Sequence, residues 1–79
     1  PTCRLDNVNY SKYIRLRANC TDEDGKMKRY TWYVNDIKRA ISSNSLTLHK
    51  SMGDSISVRV IAYDDSGDSV EMTDTYSTM

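Results

Sequence analysis

Phenylalanine is absent from this 79-residue chain, proline occurs once, glycine three times, and histidine and tryptophan once each. A core must therefore come from Leu, Ile, Val, Tyr and Trp32. No apolar run approaches the ~18 residues of a spanning helix, so membrane insertion is not expected. No signal-peptide pattern follows Pro1, and a chain that begins on Pro reads as a fragment of a larger protein. An excess of one charge is also missing. Eleven acidic residues balance eleven basic ones, which argues against general nucleic-acid binding, because that needs a basic surplus to displace counterions from phosphates. With a single histidine, His49, far from both cysteines, zinc is not expected. No internal repeat, linker or low-complexity segment is visible, and no window holds a helical period. The length makes one domain, residues 1–79, with a thin stability margin, since a chain this small buries only about 60% of the surface it exposes unfolded.

What is present is a succession of short alternating runs. Pro1 to Val8 carries Cys3 and Leu5 on one parity, and Asn7 to Lys12 reads as a polar turn. Tyr13 to Cys20 places Ile14, Leu16, Ala18 and Cys20 on one face. Asp22-Glu23-Asp24-Gly25 supplies turn residues. Met27 to Val34 places Tyr30, Trp32 and Val34 on one face, and Asn35-Asp36 reads as a tight reversal into Ile37 to Ile41. Leu46 and Leu48 mark a short strand, and Met52-Gly53-Asp54 a turn. Ile56, Val58, Val60 and Ala62 form the cleanest period-2 run of the chain. Asp64-Asp65-Ser66-Gly67-Asp68 is a second acidic turn, and Val70, Met72 and Tyr76 define the last strand. About seven strands with turns every eight to twelve residues predict an all-β, antiparallel immunoglobulin-like sandwich. Trp32 is its expected core residue.

Cys3 and Cys20 are an even pair. If the first two runs form an antiparallel pair, the thiols lie near each other at one end of it. Two readings stay open: one disulfide, which in the chain-entropy model adds ~3 kcal/mol, or two buried thiols acting as small hydrophobes.

The stretch Asn19-Cys20-Thr21-Asp22-Glu23-Asp24-Gly25-Lys26-Met27-Lys28-Arg29-Tyr30-Thr31-Trp32 resembles the polycystic-kidney-disease (PKD) type of immunoglobulin-like domain. There a D-x-D-G turn and a Y-x-W strand follow a strand end of small residues. Val58-Arg59-Val60-Ile61-Ala62-Tyr63-Asp64-Asp65-Ser66-Gly67 is similar to the family's V-x-V-x-D-x-x-G ending. One departure stands out: Trp32-Tyr33-Val34-Asn35-Asp36-Ile37 replaces the family's W-D-F-G-D-G segment. The resemblance implies a non-enzymatic, surface-exposed accessory module. Such modules occur on secreted bacterial enzymes, on cell surfaces, and on bacteriophage virions as capsid decoration. There they act as spacers, or as weak binders of polysaccharide or protein. An extracellular or virion-surface location and a monomeric isolated domain follow as expectations, with a neighbouring domain of the parent protein as a further partner.

Two candidate sites can be named. The two acidic turns share a pole in a sandwich, so Asp22, Asp24, Asp64 and Asp65, with Asp68 nearby, could converge as hard oxygen ligands for calcium. The alternative is a set of solvated turn residues using Asp for side-chain-to-backbone bonds. If Tyr30, Trp32 and Val34 point inward, then Arg29 and Tyr33 point outward, together with Arg59, Ile61 and Tyr63 on the Ile56 strand. Those five form an amphipathic patch of interface composition, where tyrosine can stack on sugars while arginine binds hydroxyls or anions. Ordinary cross-strand pairing explains the same residues. A catalytic site is not expected, because His49 has no acid–base companion and a sandwich this small offers no large cleft. Two sequons, Asn9-Tyr10-Ser11 and Asn19-Cys20-Thr21, matter only in a eukaryotic secretory setting.

Overall fold

The computed structural model describes residues 1–22 and 25–78. Within them the chain forms β1 (Thr2–Asn9), β2 (Tyr13–Thr21), β3 (Met27–Val34), β4 (Ile37–Arg39), β5 (Ser45–His49), β6 (Ser55–Asp64) and β7 (Ser69–Ser77). Two antiparallel sheets result, ordered β1-β2-β5 and β4-β3-β6-β7. This is the expected all-β sandwich. The period-2 runs explain it directly. Each strand has one apolar face, and the two sheets bury those faces against each other.

Ile14, Leu16 and Ala18 of β2 meet Leu46 and Leu48 of β5 on one side of the core. Trp32 and Val34 of β3, Ile56, Val58 and Val60 of β6, and Tyr76 of β7 fill the other. Trp32 is wholly inaccessible to solvent. Its Nε1–H donates to the carbonyl of Ser43 at 2.8 Å, which satisfies the one polar atom the ring takes into the core.

The β3–β4 connection is the tight reversal the sequence predicts. Asn35 and Asp36 both take positive φ, 50° and 65°, as a two-residue hairpin turn of the primed type requires. Asn35 also binds the β6 backbone at Ser57, through its own N–H and through its side-chain oxygen. Three expectations are corrected. The polar turn read at Asn7 to Lys12 is shorter: β1 runs through Asn9, one residue past the expected Val8, because Val8 and Asn9 pair with Arg15 and Ile14. β4 ends at Arg39, since residues 40–44 must carry the chain across to the other sheet. A single 3₁₀ turn, Lys50–Met52, replaces the simple turn, with His49 Nδ1 accepting the N–H of Ser51.

One irregularity positions the sites. The β3–β6 register slips between Met27, opposite Asp64, and Arg29, opposite Tyr63. This β-bulge lets Met27, rather than Lys28, face the inward parity beside Asp64.

The poles are distinct. The start of β1, the end of β2 and the β6–β7 turn lie at one end. The β1–β2 and β3–β4 turns and the end of β7 lie at the other. The body is 40 Å long. Along the free edge of β7, Asp74 accepts the N–H of Thr75, which blunts a nine-residue edge.

Candidate functional site

Asp64 closes the inward-facing row Ile56, Val58, Val60, Ala62. It is 4% exposed, the buried polar residue of the core face. The sequence reading of Asp64 as an open turn residue is therefore corrected: it is the last inward position of β6. Its Oδ1 accepts from Ser66 Oγ at 2.7 Å and from the N–H groups of Ser66 and Asp68, each at 2.9 Å. These bonds shape the turn that follows.

The Ser66 hydroxyl is the main influence holding the Asp64 carboxyl below its ordinary 3.8. Burial opposes it, and the Ser66 and Asp68 N–H groups and Asp22 reinforce it. A carboxyl whose folded pKa is depressed contributes stability above the unfolded value. That contribution is lost as pH falls through the folded value. Urea unfolding from about pH 5 to about pH 3 should therefore show a falling midpoint. Asp64→Asn should be weaker at neutral pH and flatter over this range. An equal slope in the variant would assign the acid limb to other groups.

Asp22 at the end of β2 and Asp65 after β6 complete a cluster. One carboxylate oxygen from each of Asp22, Asp64 and Asp65 lies within 4.8 Å of the others. Asp24 lies outside the described residues. Asp68 engages Asp64 through its backbone, donating N–H to the carboxylate and accepting from the Asp64 N–H at 2.9 Å. The Asp65 carboxylate lies against Gly25, where any Cβ would collide with it. Carboxylates this close repel unless a proton or a cation is shared among them. Three hard oxygen donors fit part of a calcium shell, which takes six to eight oxygens and accepts water and backbone carbonyls for the rest.

The five residues of the predicted patch are brought together on the outer face of the four-stranded sheet. Arg29 is opposite Tyr63, Thr31 opposite Ile61, and Tyr33 opposite Arg59. Register adds what parity could not show. The Arg29 guanidinium lies 4.5 Å from the Tyr63 ring centre, and that of Arg59 lies 4.1 Å from Tyr33. Arg59 Nη1 also meets Glu71 Oε1 of β7 at 3.3 Å. Each pairing is worth about 0.5–1 kcal/mol on an exposed surface. Both tyrosine rings thus carry a guanidinium over them, and what the face presents outward is arginine. A shallow depression of about 500 Å³ lies between Arg29, Tyr63 and the Ser66–Gly67 turn.

Cys3 and Cys20 are directly opposite each other on β1 and β2, with Cα atoms 4.0 Å apart, and form a disulfide. His49 is engaged structurally: besides the Ser51 bond, its ring meets Tyr13 edge-on at 5.3 Å. Asn19 is half-buried and donates its side-chain N–H to Asp6.

Among solved structures, the PKD1 domain from the Vibrio cholerae metalloprotease PrtV aligns with 95% of this chain and 91% of its own, at a TM-score of 0.77 and 22% identity. The fold is that of a PKD domain. No family model matches the chain, and comparison with curated proteins finds no match either. Within the PKD-type fold, the departing segment after Trp32 forms the two-residue turn and the three-residue β4.

Proposed function

We propose that this PKD-type domain is a non-enzymatic, extracellular accessory module. It docks weakly through the outer face of its four-stranded sheet, either on a surface protein or on a neighbouring domain of its parent chain. Display on a bacterial exterior or a virion is the setting this reading favours. The observation that carries it is the cross-strand ladder of Arg29, Tyr63, Ile61, Tyr33 and Arg59. It is a continuous amphipathic strip, half-buried except at the exposed Arg29, which has no carboxylate partner among the described residues. Arginine held flat on tyrosine is pre-organised for carboxylate or carbonyl acceptors of a partner surface. The disulfide supports an oxidising compartment, and the metalloprotease setting of the structurally similar PKD1 domain supports an accessory role.

The test is binding of the labelled domain to bacterial cells and to purified surface protein. Tyr33→Ser with Tyr63→Ser should abolish binding with the melting temperature little changed. Binding that survives the double change would sink this surface as the contact.

The convergence of Asp22, Asp64 and Asp65 favours a second reading, a calcium-tightened spacer within a secreted hydrolase. A ligand specific to the folded state stabilises by about 2.7 kcal/mol at a hundredfold excess over Kd. In a domain this size that raises the melting temperature by roughly ten degrees or more. Millimolar calcium against chelator is the comparison, with Asp22→Asn as the variant that should lose the effect. An unchanged melting temperature removes the spacer reading and leaves these aspartates as turn residues.

A further inference from the structure

The opposite face of the sandwich, the outer side of β1-β2-β5, differs in charge and in chemistry. Arg15 and Arg17 lie two residues apart on β2, both exposed and both outward, which spaces them about 7 Å along the strand. Neither makes an ion pair among the described residues. The carboxylate on this face, Asp6, is already engaged by Arg4 at 3.1 Å and by Asn19. Asp6 stands directly opposite Arg17, so this face carries three arginines, Arg4, Arg15 and Arg17, against one carboxylate among the described residues, in a molecule with no net charge. Thr47 and Ser45 of β5 flank them on one side. On the other, Val8 and Tyr10 are 52% and 50% exposed, and both help line a depression of about 230 Å³ together with Asp6, Arg15 and Arg17.

We infer that this face binds a linear acidic polysaccharide, with Arg15 and Arg17 gripping successive anionic groups and Tyr10 and Val8 supporting a sugar ring between them. The planar guanidinium fork matches carboxylate or sulfate bidentately. A repeating acidic glycan offers such groups at intervals of the same order as two outward positions of a strand. Tyr10 decides between faces: among the described residues no guanidinium covers its ring, whereas Tyr33 and Tyr63 are capped. An exposed aromatic beside a row of hydroxyls favours a sugar over an acidic peptide. This surface is separate from the Arg29–Tyr63 strip and stands or falls independently of it.

The experiment is affinity electrophoresis of the intact domain through gels holding polygalacturonate, neutral dextran or polyglutamate. Retardation is expected in polygalacturonate and not in dextran, and should weaken with salt. Arg15→Ala with Arg17→Ala should lower the affinity about tenfold or more, with the Arg→Gln pair as a substitute if the alanine pair does not fold. Tyr10→Ala should weaken retardation by polygalacturonate and leave that by polyglutamate unchanged. Three results overturn the inference. One is free migration of the intact domain in polygalacturonate. The second is equal retardation by polyglutamate with no effect of Tyr10→Ala, which would make the occupant an acidic polypeptide. The third is loss of retardation in the Tyr33→Ser, Tyr63→Ser variant with the arginine pair without effect.

Discussion

Trp32→Ala is expected to abolish the cooperative unfolding transition of this domain. The ring is wholly buried at the centre of the sandwich, between β2 and β5 on one side and its own sheet neighbours on the other. Removing it costs about 3–5 kcal/mol in lost transfer energy and residual cavity. Small domains hold a comparable total margin. The indole also anchors the crossing between sheets, because Nε1–H holds the Ser43 carbonyl in the segment leading to β5. Trp32→Phe separates the two effects. It keeps most of the apolar volume and loses the N–H bond, so its expected cost is smaller, the bond itself contributing about 0.5–1.5 kcal/mol. The check is urea unfolding followed by circular dichroism. A Trp32→Ala protein that still unfolds cooperatively, with a midpoint near the parent's, would refute the core placement.

Breaking the Cys3–Cys20 bond is expected to have the next largest effect. The bridge joins residues separated by 17 positions across the β1–β2 pair, and a loop of about that size is constrained by about 3 kcal/mol in the unfolded chain. For a domain of this length that corresponds to roughly 15 °C in melting temperature. The stabilisation acts on the unfolded ensemble, from which the bond removes loop-closure entropy. Calorimetry of the oxidised protein against the Cys3→Ser, Cys20→Ser variant measures it. A difference of only a few degrees would show that the hairpin is already compact when unfolded.

Much of the scaffold was legible because inward and outward positions alternate strictly. Ile56 to Ala62 announced a half-buried strand, and Asn35-Asp36 announced its turn from residue type alone. The period even pointed at Asp64 as an inward position. Its neighbours Asp65, Ser66 and Gly67 read so strongly as a turn that composition masked parity. The turn after β1 reads too long for a related reason. Val8 and Asn9 lie at the exposed end of an edge strand, where pairing with Arg15 and Ile14 overrides a polar, turn-like local sequence. The strip on the four-stranded sheet was legible as five residues sharing a face. The capping of Tyr33 and Tyr63 was not. Parity says which side a residue faces, but only the β3–β6 register says what it meets there, and the bulge at Met27–Arg29 resets that register. Disulfide and acidic cluster were similar cases. Each needed two distant segments brought level, Cys3 with Cys20 and Asp22 with Asp64, which residue types suggest and strand pairing decides.

The position of the disulfide has a mechanical consequence. β1 begins at the acidic pole and β7 ends at the opposite one, so tension applied through the chain at these points stretches the domain along its 40 Å axis. Such a load runs parallel to the strands and would ordinarily slide the terminal strand β1 along β2. Here Cys3 is the second residue of β1, so that sliding is blocked close to the point of loading. The pull passes through sulfur into β2, in the interior of its sheet. Further yielding must then shear several ladders at once. In its oxidised form the domain is a stiff link, with the load carried by its core.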